Sequence, residues 1–190
     1  MTSDDAARAP QPVAAAISLP VPSWSTYRPG YPEAVATEIE RKFVLHAAPG
    51  WLEEAPGEAI EQGYLAADDR AEVRLRLIAG RPRLTVKHGS GLSRAEVEID
   101  LGDDQFEALW PLTEGKRISK LRHRRESDAG TIEVDVYGGA HAGLVVAEIE
   151  FASVAASERF DPPEWLGTEV TGDERWANRS LALSGRVPDR

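Results

Sequence analysis

Two Glu-x-Glu pairs, Glu38-x-Glu40 and Glu148-x-Glu150, stand near opposite ends of the chain, and Lys42 extends the first pair by one further step. Between them basic residues recur at every second position: Arg74 and Arg76, then Lys120 and Arg122, with Lys87 and Arg94 on other stretches. Carboxylates are the oxygen donors that a hard divalent cation takes. Guanidinium forks and ammonium point charges suit the oxygens of phosphate groups. A spacing of two places each set on one face of a strand, so these residues act together only if strands carry them.

Period-two alternation supplies those strands. It runs through residues 38–43, 72–77, 83–87, 94–101, from near Lys116 to Arg124, 132–136 and 147–151, and residues 59–65 add an eighth stretch. Ala79-Gly80-Arg81-Pro82, Gly89-Ser90-Gly91, Ala129-Gly130 and Gly138-Gly139 read as turns between them, close enough together for antiparallel hairpins. Asp103 or Asp104 can cap a helix presenting Phe106, Leu109 and Trp110 on one face, and a terminal helix runs through Trp176 and Leu181. The fold class is α+β, with an eight-stranded antiparallel sheet closed or nearly closed into a barrel. Most alternating strands turn their charged face to solvent. Here, however, some charged faces are purely acidic and one is purely basic, with little Thr, Ser, Gln or Asn among them. Turned inward, they would fill a lumen with rival charges, at a desolvation cost that only a bound ligand could offset. Alternation alone leaves both arrangements open.

The 190 residues carry 22 basic and 32 acidic side chains, a net charge of −10, and no cysteine. Disulfides, a cysteine nucleophile, thiolate zinc and iron–sulfur clusters are therefore excluded. The acidic balance argues against nucleic-acid binding, and no apolar run approaches the ~18 residues of a membrane span. No signal-peptide n-region precedes Val13, so a cytoplasmic protein is expected. Residues 1–36 hold six of the thirteen prolines and read as a mobile Pro/Ala-rich extension, followed by one domain over residues 37–184 and a short tail. The four histidines lack ligand spacing and read as surface or structural residues.

Taken in order, these segments resemble the triphosphate tunnel metalloenzymes, also called the CYTH superfamily. Glu38-x-Glu40-x-Lys42 is the signature, supported by Gln62-Gly63-Tyr64-Leu65, Val73-Arg74-Leu75-Arg76, Leu84-Thr85-Val86-Lys87 and Gly91-Leu92-Ser93-Arg94. Phe106 to Pro111, Thr113-Glu114-Gly115-Lys116-Arg117, Glu148-Ile149-Glu150-Phe151 and Gly167 to Asp173 resemble the small bacterial branch as well. The likeness spans about residues 37–184. His88, Leu121 and His123 depart from the pattern.

The resemblance implies an eight-stranded tunnel with charged faces inward, and hydrolysis of inorganic triphosphate to pyrophosphate and phosphate with Mg²⁺ or Mn²⁺. It makes Glu38, Glu40, Glu148 and Glu150 the primary metal set; by their carboxylate chemistry Asp135, and less surely Glu96 and Glu98, could add ligands. Lys42, Arg74, Arg76, Lys87, Arg94, Lys120 and Arg122 would hold substrate, Lys42 and Lys120 also serving catalysis. Tyr64 would transfer a proton, position the attacking water, or support the structure. The expected partner is a small triphosphate, with no nucleic acid and no membrane; a homodimer stays open. Alternatives are an adenylate cyclase or a thiamine or nucleoside triphosphatase of the same superfamily, or a non-catalytic polyphosphate-binding module.

Overall fold

The computed structural model describes residues 39–68, 71–90 and 93–189, without side-chain detail at residues 89, 90 and 93–95. The expected extension over residues 1–36, Glu38, and the side chain of Arg94 lie outside the described residues. Nine strands form one antiparallel sheet: β1 (Glu40–Val44), β2 (Gly57–Ala67), β3 (Ala71–Ile78), β4 (Arg81–Ser90), β5 (Ser93–Asp100), β6 (Arg117–Ser127), β7 (Gly130–Tyr137), β8 (Val145–Glu150) and β9 (Thr168–Glu169). Their order across the sheet is β5-β4-β3-β2-β6-β7-β8-β1-β9.

The sheet is therefore not the closed eight-stranded barrel that the pattern suggests. The reason lies at β1. Closure would require β5 to pair with the outer edge of β1, but residues 168–171 hold that edge. Phe43 and Val44 pair with Glu169 and Thr168, the Lys42 N–H donates to Thr171 Oγ1 at 3.0 Å, and Val170 N–H donates to the Lys42 carbonyl at 2.8 Å. On the same edge Arg41 grips Glu169 through two hydrogen bonds, of 2.9 and 2.6 Å. Its guanidinium also donates to the Ser157 and Phe160 carbonyls.

The charged faces do turn inward, as the resemblance implies. On the opposite face of β1, β7 and β8 the alternate residues Phe43, Leu45, Ile132, Val134, Ala147 and Ile149 form a buried core with Leu52 and Leu166. Each Val, Leu, Ile or Phe side chain among them contributes about 1.5–3 kcal/mol when fully buried. Helix α2 (Val154–Arg159), which the alternation pattern does not announce, starts at Ser153, whose hydroxyl accepts from the Ala156 N–H at 3.1 Å.

The inward faces are not charged along their whole length. Toward one end they become Val44, Tyr64, Ile118, Tyr137 and Val146, and these pack with Trp176, Leu181 and Ala182 into a second core. Helix α3 (Asn178–Ser184), which packs on β2 and β6, closes over this end. His141, buried at the β7–β8 connection, holds it there through Nε2 against the Leu181 carbonyl at 2.9 Å. Tyr137 adds a hydrogen bond from its hydroxyl to Asn178 Oδ1 at 2.6 Å.

Between β5 and β6, helix α1 (Asp103–Leu109) begins at Gly102 rather than at Asp103 or Asp104, whose carboxylates sit in its first turn. Gln105 Oε1 accepts from the Gly102 N–H at 2.9 Å. Phe106 stacks on Trp110 with ring centres 5.0 Å apart, and the Arg117 guanidinium lies 4.4 Å from the Trp110 ring. The turn that follows seats Thr113 against Gly63 so tightly that a Cβ at Gly63 would fall 2.5 Å from Thr113 Oγ1. The Gln62-Gly63-Tyr64 stretch thus needs glycine at its centre for close approach, while Gln62 and Tyr64 turn inward. No helix among the described residues is long and apolar enough to cross a membrane.

Candidate active site

The inward faces line a cavity of about 980 Å³, to which β1 through β8 and residues 170–179 all contribute. Strand register brings the sequence-distant charges together. Glu40 lies opposite Glu150, and Lys42 opposite Glu148 with Nζ 2.7 Å from Oε1. Glu148 in turn lies opposite Glu133, and Arg122 opposite Asp135. On the far arm Arg74 and Arg76 of β3 face Lys87 of β4 and Glu96 and Glu98 of β5.

The β6–β7–β8 arm is a buried ionic lattice. Asp135, 2% exposed, receives Lys120 Nζ at 2.5 Å and two Arg122 nitrogens at 2.7 Å. Arg122 also pairs with Glu133, and with Glu148 at 3.2 Å. Burial pushes the Asp135 carboxyl up, but Lys120 and Arg122 outweigh it and hold its pKa at about 2. Burial likewise raises Glu148, yet Lys42, Lys120 and Arg122 bring it below the usual carboxylate range. Lys42 is desolvated as well, and Glu148, ahead of Glu40 and Asp135, more than restores its charge. For Lys120 burial wins and its pKa falls, despite Asp135.

Asp135 does not itself line the cavity; Lys120 and Arg122 stand between it and the open space. Tyr64 does line it, with its hydroxyl accepting from Gln62 Nε2 at 2.8 Å. Burial pushes this phenol up to about 12, against the pull of Arg74. A phenol raised this far stays protonated at ordinary pH and keeps its hydrogen-bonding capacity.

Of the expected site residues, Glu40, Glu148 and Glu150, the six described cations Lys42, Arg74, Arg76, Lys87, Lys120 and Arg122, and Tyr64 share this one cavity. Glu38 and the Arg94 side chain lie outside the described residues. Period two misses Arg179, which reaches the cavity from the first turn of α3 and donates to the Asp68 carbonyl at 2.5 Å. Nothing in a strand pattern marks which residue of a helix will point inward.

The donor chemistry suits a hard divalent cation, since Glu40, Glu148 and Glu150 offer only oxygens from two paired strands. Charge balance points the same way. Among the described residues ten acidic and eight basic side chains line the cavity, so a polyanion meeting them gains no net attraction unless cations accompany it. Among the described residues no three His, Asp or Glu side chains converge as a ready metal group, and Glu148 is turned toward Lys42 and Arg122.

No family model matches the chain. Individual proteins do. The chain is 44% identical over 151 residues to the inorganic triphosphatase of Nitrosomonas europaea, covering 78% of this chain and 98% of that protein. It is 39% identical over 146 residues to the inorganic triphosphatase of Acetivibrio thermocellus, covering 76% and 92%. A crystal structure of an inorganic triphosphatase superposes with a TM-score of 0.63 at 40% identity, covering 77% of this chain and 95% of that one. With a charged cavity of this make-up and likeness running the length of those proteins, the chain belongs to the inorganic triphosphatases of the CYTH, or triphosphate tunnel metalloenzyme, superfamily.

Proposed function

We propose that this protein hydrolyses inorganic triphosphate to pyrophosphate and phosphate with Mg²⁺ or Mn²⁺. The observation that carries the reading is the meeting of six cations from β1, β3, β4 and β6 with three glutamates from β1 and β8 in one cavity. Arg74, Arg76, Lys87 and Arg122 would bind phosphate oxygens, with Arg94 extending the set. Lys42 and Lys120, partly or fully buried beside the carboxylates, would stabilise the charge that develops on the transferred phosphoryl group and its leaving oxygen. Tyr64 would orient the attacking water through its hydroxyl. Glu40, Glu148 and Glu150, with Glu38, would hold the metal, which supplies charge neutralisation and Lewis acidity when bound. Asp135 we assign to holding Lys120 and Arg122 rather than metal.

Among the described residues Tyr64 is the only aromatic side chain lining the cavity, and it is 1% exposed. With no ring surface available for a base to stack on, an inorganic substrate is favoured over a nucleotide. A cytoplasmic setting and a homodimer complete the proposal; fractionation and light scattering test them.

The decisive measurement is phosphate release from tripolyphosphate, ATP and thiamine triphosphate, with and without Mg²⁺ or Mn²⁺. Tripolyphosphate should be preferred, and a chelator should abolish turnover. Glu40→Ala should lower metal-dependent turnover by about a hundredfold or more while the circular dichroism spectrum is retained. Unimpaired turnover in that variant removes the metal assignment.

A further inference from the structure

Strand β5 is a margin of the sheet; among the described residues it pairs with β4 alone. Its inward carboxylates take up every substrate-directed cation described on β3 and β4. Glu96 receives Lys87 Nζ at 2.9 Å, with Arg74 and Arg76 at 3.5 and 3.8 Å. Glu98 pairs with Arg76 and accepts from the Thr85 hydroxyl at 3.3 Å. Arg83, which does not line the cavity, holds Glu98 at 3.0 Å and also pairs with Asp100.

Carboxylate and phosphate oxygens engage a guanidinium in the same way, so these glutamates stand where phosphate oxygens would stand. The fit is incomplete. Arg74 Nε and Arg76 Nε are buried with no hydrogen-bond partner, so each arginine retains donor capacity that the glutamates leave unused. Exposure differs between the two sides as well. The side chains of Glu96 and Glu98 are 32% and 35% exposed, whereas those of Arg74 and Arg76 are 10% and 18%. A carboxylate released here has water to turn to. On the opposite arm Asp135, with its side chain 2% exposed, has none.

We infer that Glu96 and Glu98 are built-in competitors of the substrate: they neutralise Arg74, Arg76 and Lys87 in the empty cavity and yield them to an incoming triphosphate arm. The inference rests on the triphosphatase reading above. It adds that β5 sets the affinity of this arm for substrate and for the pyrophosphate product, because each binding event exchanges one set of oxygens for another.

Steady-state hydrolysis of tripolyphosphate at saturating Mg²⁺, with the full-length chain, tests this. In E96Q/E98Q both the KM and the inhibition constant for added pyrophosphate should fall about fivefold, as expected for loss of two partly exposed ion pairs. R83A should move KM the other way, since Arg76 is then the one cation left to Glu98 among its described partners. An unchanged or higher KM in E96Q/E98Q overturns the inference, and so does a raised Mg²⁺ requirement, which would mark the two glutamates as metal ligands. Should the double variant not fold, R83A decides: an unchanged or lower KM overturns the inference. A wild-type protein that does not turn over tripolyphosphate would instead sink the parent reading.

Discussion

Asp135 and Glu96 are both acidic residues on inward faces, yet their surroundings give them different work. Asp135 has spent both oxygens on Lys120 and Arg122 beneath the cavity surface, so its removal strands Lys120 in a low-dielectric site and leaves Arg122 to Glu133 and Glu148. Asp135→Asn should cost about 3 kcal/mol in urea unfolding, within the range for breaking a buried ion pair. Tyr64 supports a second expectation. Because burial holds its phenol near a pKa of about 12, Tyr64→Phe should lower turnover without altering the shape of the rate profile between pH 6 and 9. A lost basic limb in that variant would restore the phenol as a base. At this scale the sequence made residue type and face legible, since alternation decides both. It did not make partners legible: whether a glutamate faces a lysine or another glutamate depends on register, which the strand pattern leaves free by steps of two.

The eight alternating stretches all became strands, because period two survives wherever one face is buried and the other is polar. What alternation could not carry is the two-residue β9, too short to hold a period. Yet β9 decides the architecture by covering the edge of β1 that a closed barrel would use. Helix α2 escaped for a related reason: only six residues long and with none of them buried, it leaves no apolar stripe in the sequence. Gly63 offers a test at this level. Thr113 is 0% exposed, donating to the Trp110 carbonyl at 2.7 Å and accepting from Arg117 Nε at 2.7 Å, so it has no room to retreat. Gly63→Ala should therefore destabilise by about 1–3 kcal/mol, read as a lower Tm, by forcing β2 and the Thr113 turn apart. A Tm equal to that of the wild type would show that the contact is loose.

Acid should expose the ionic lattice in the stability of the whole domain. Asp135 has a folded pKa of about 2 against 3.8 ordinarily, so the unfolded chain binds the proton more readily. Its contribution, about 2 kcal/mol by linkage, is fully present above pH 4 and is lost as pH falls toward 2. Equilibrium unfolding followed from pH 5 to pH 2 should show that decline, and the Asp135→Asn variant should show a shallower one, with the share of Glu148 remaining.

The interleaving of opposite charges also governs how the molecule meets its ligand. Neighbours that cancel within a few ångströms leave little potential in the surrounding water, and a net charge of −10 adds a weak push against any polyanion. Encounter is therefore unsteered. Association with metal-free tripolyphosphate should be slow compared with the diffusion limit and should quicken as added salt screens the repulsion, the reverse of the behaviour of a protein that attracts its anion from afar.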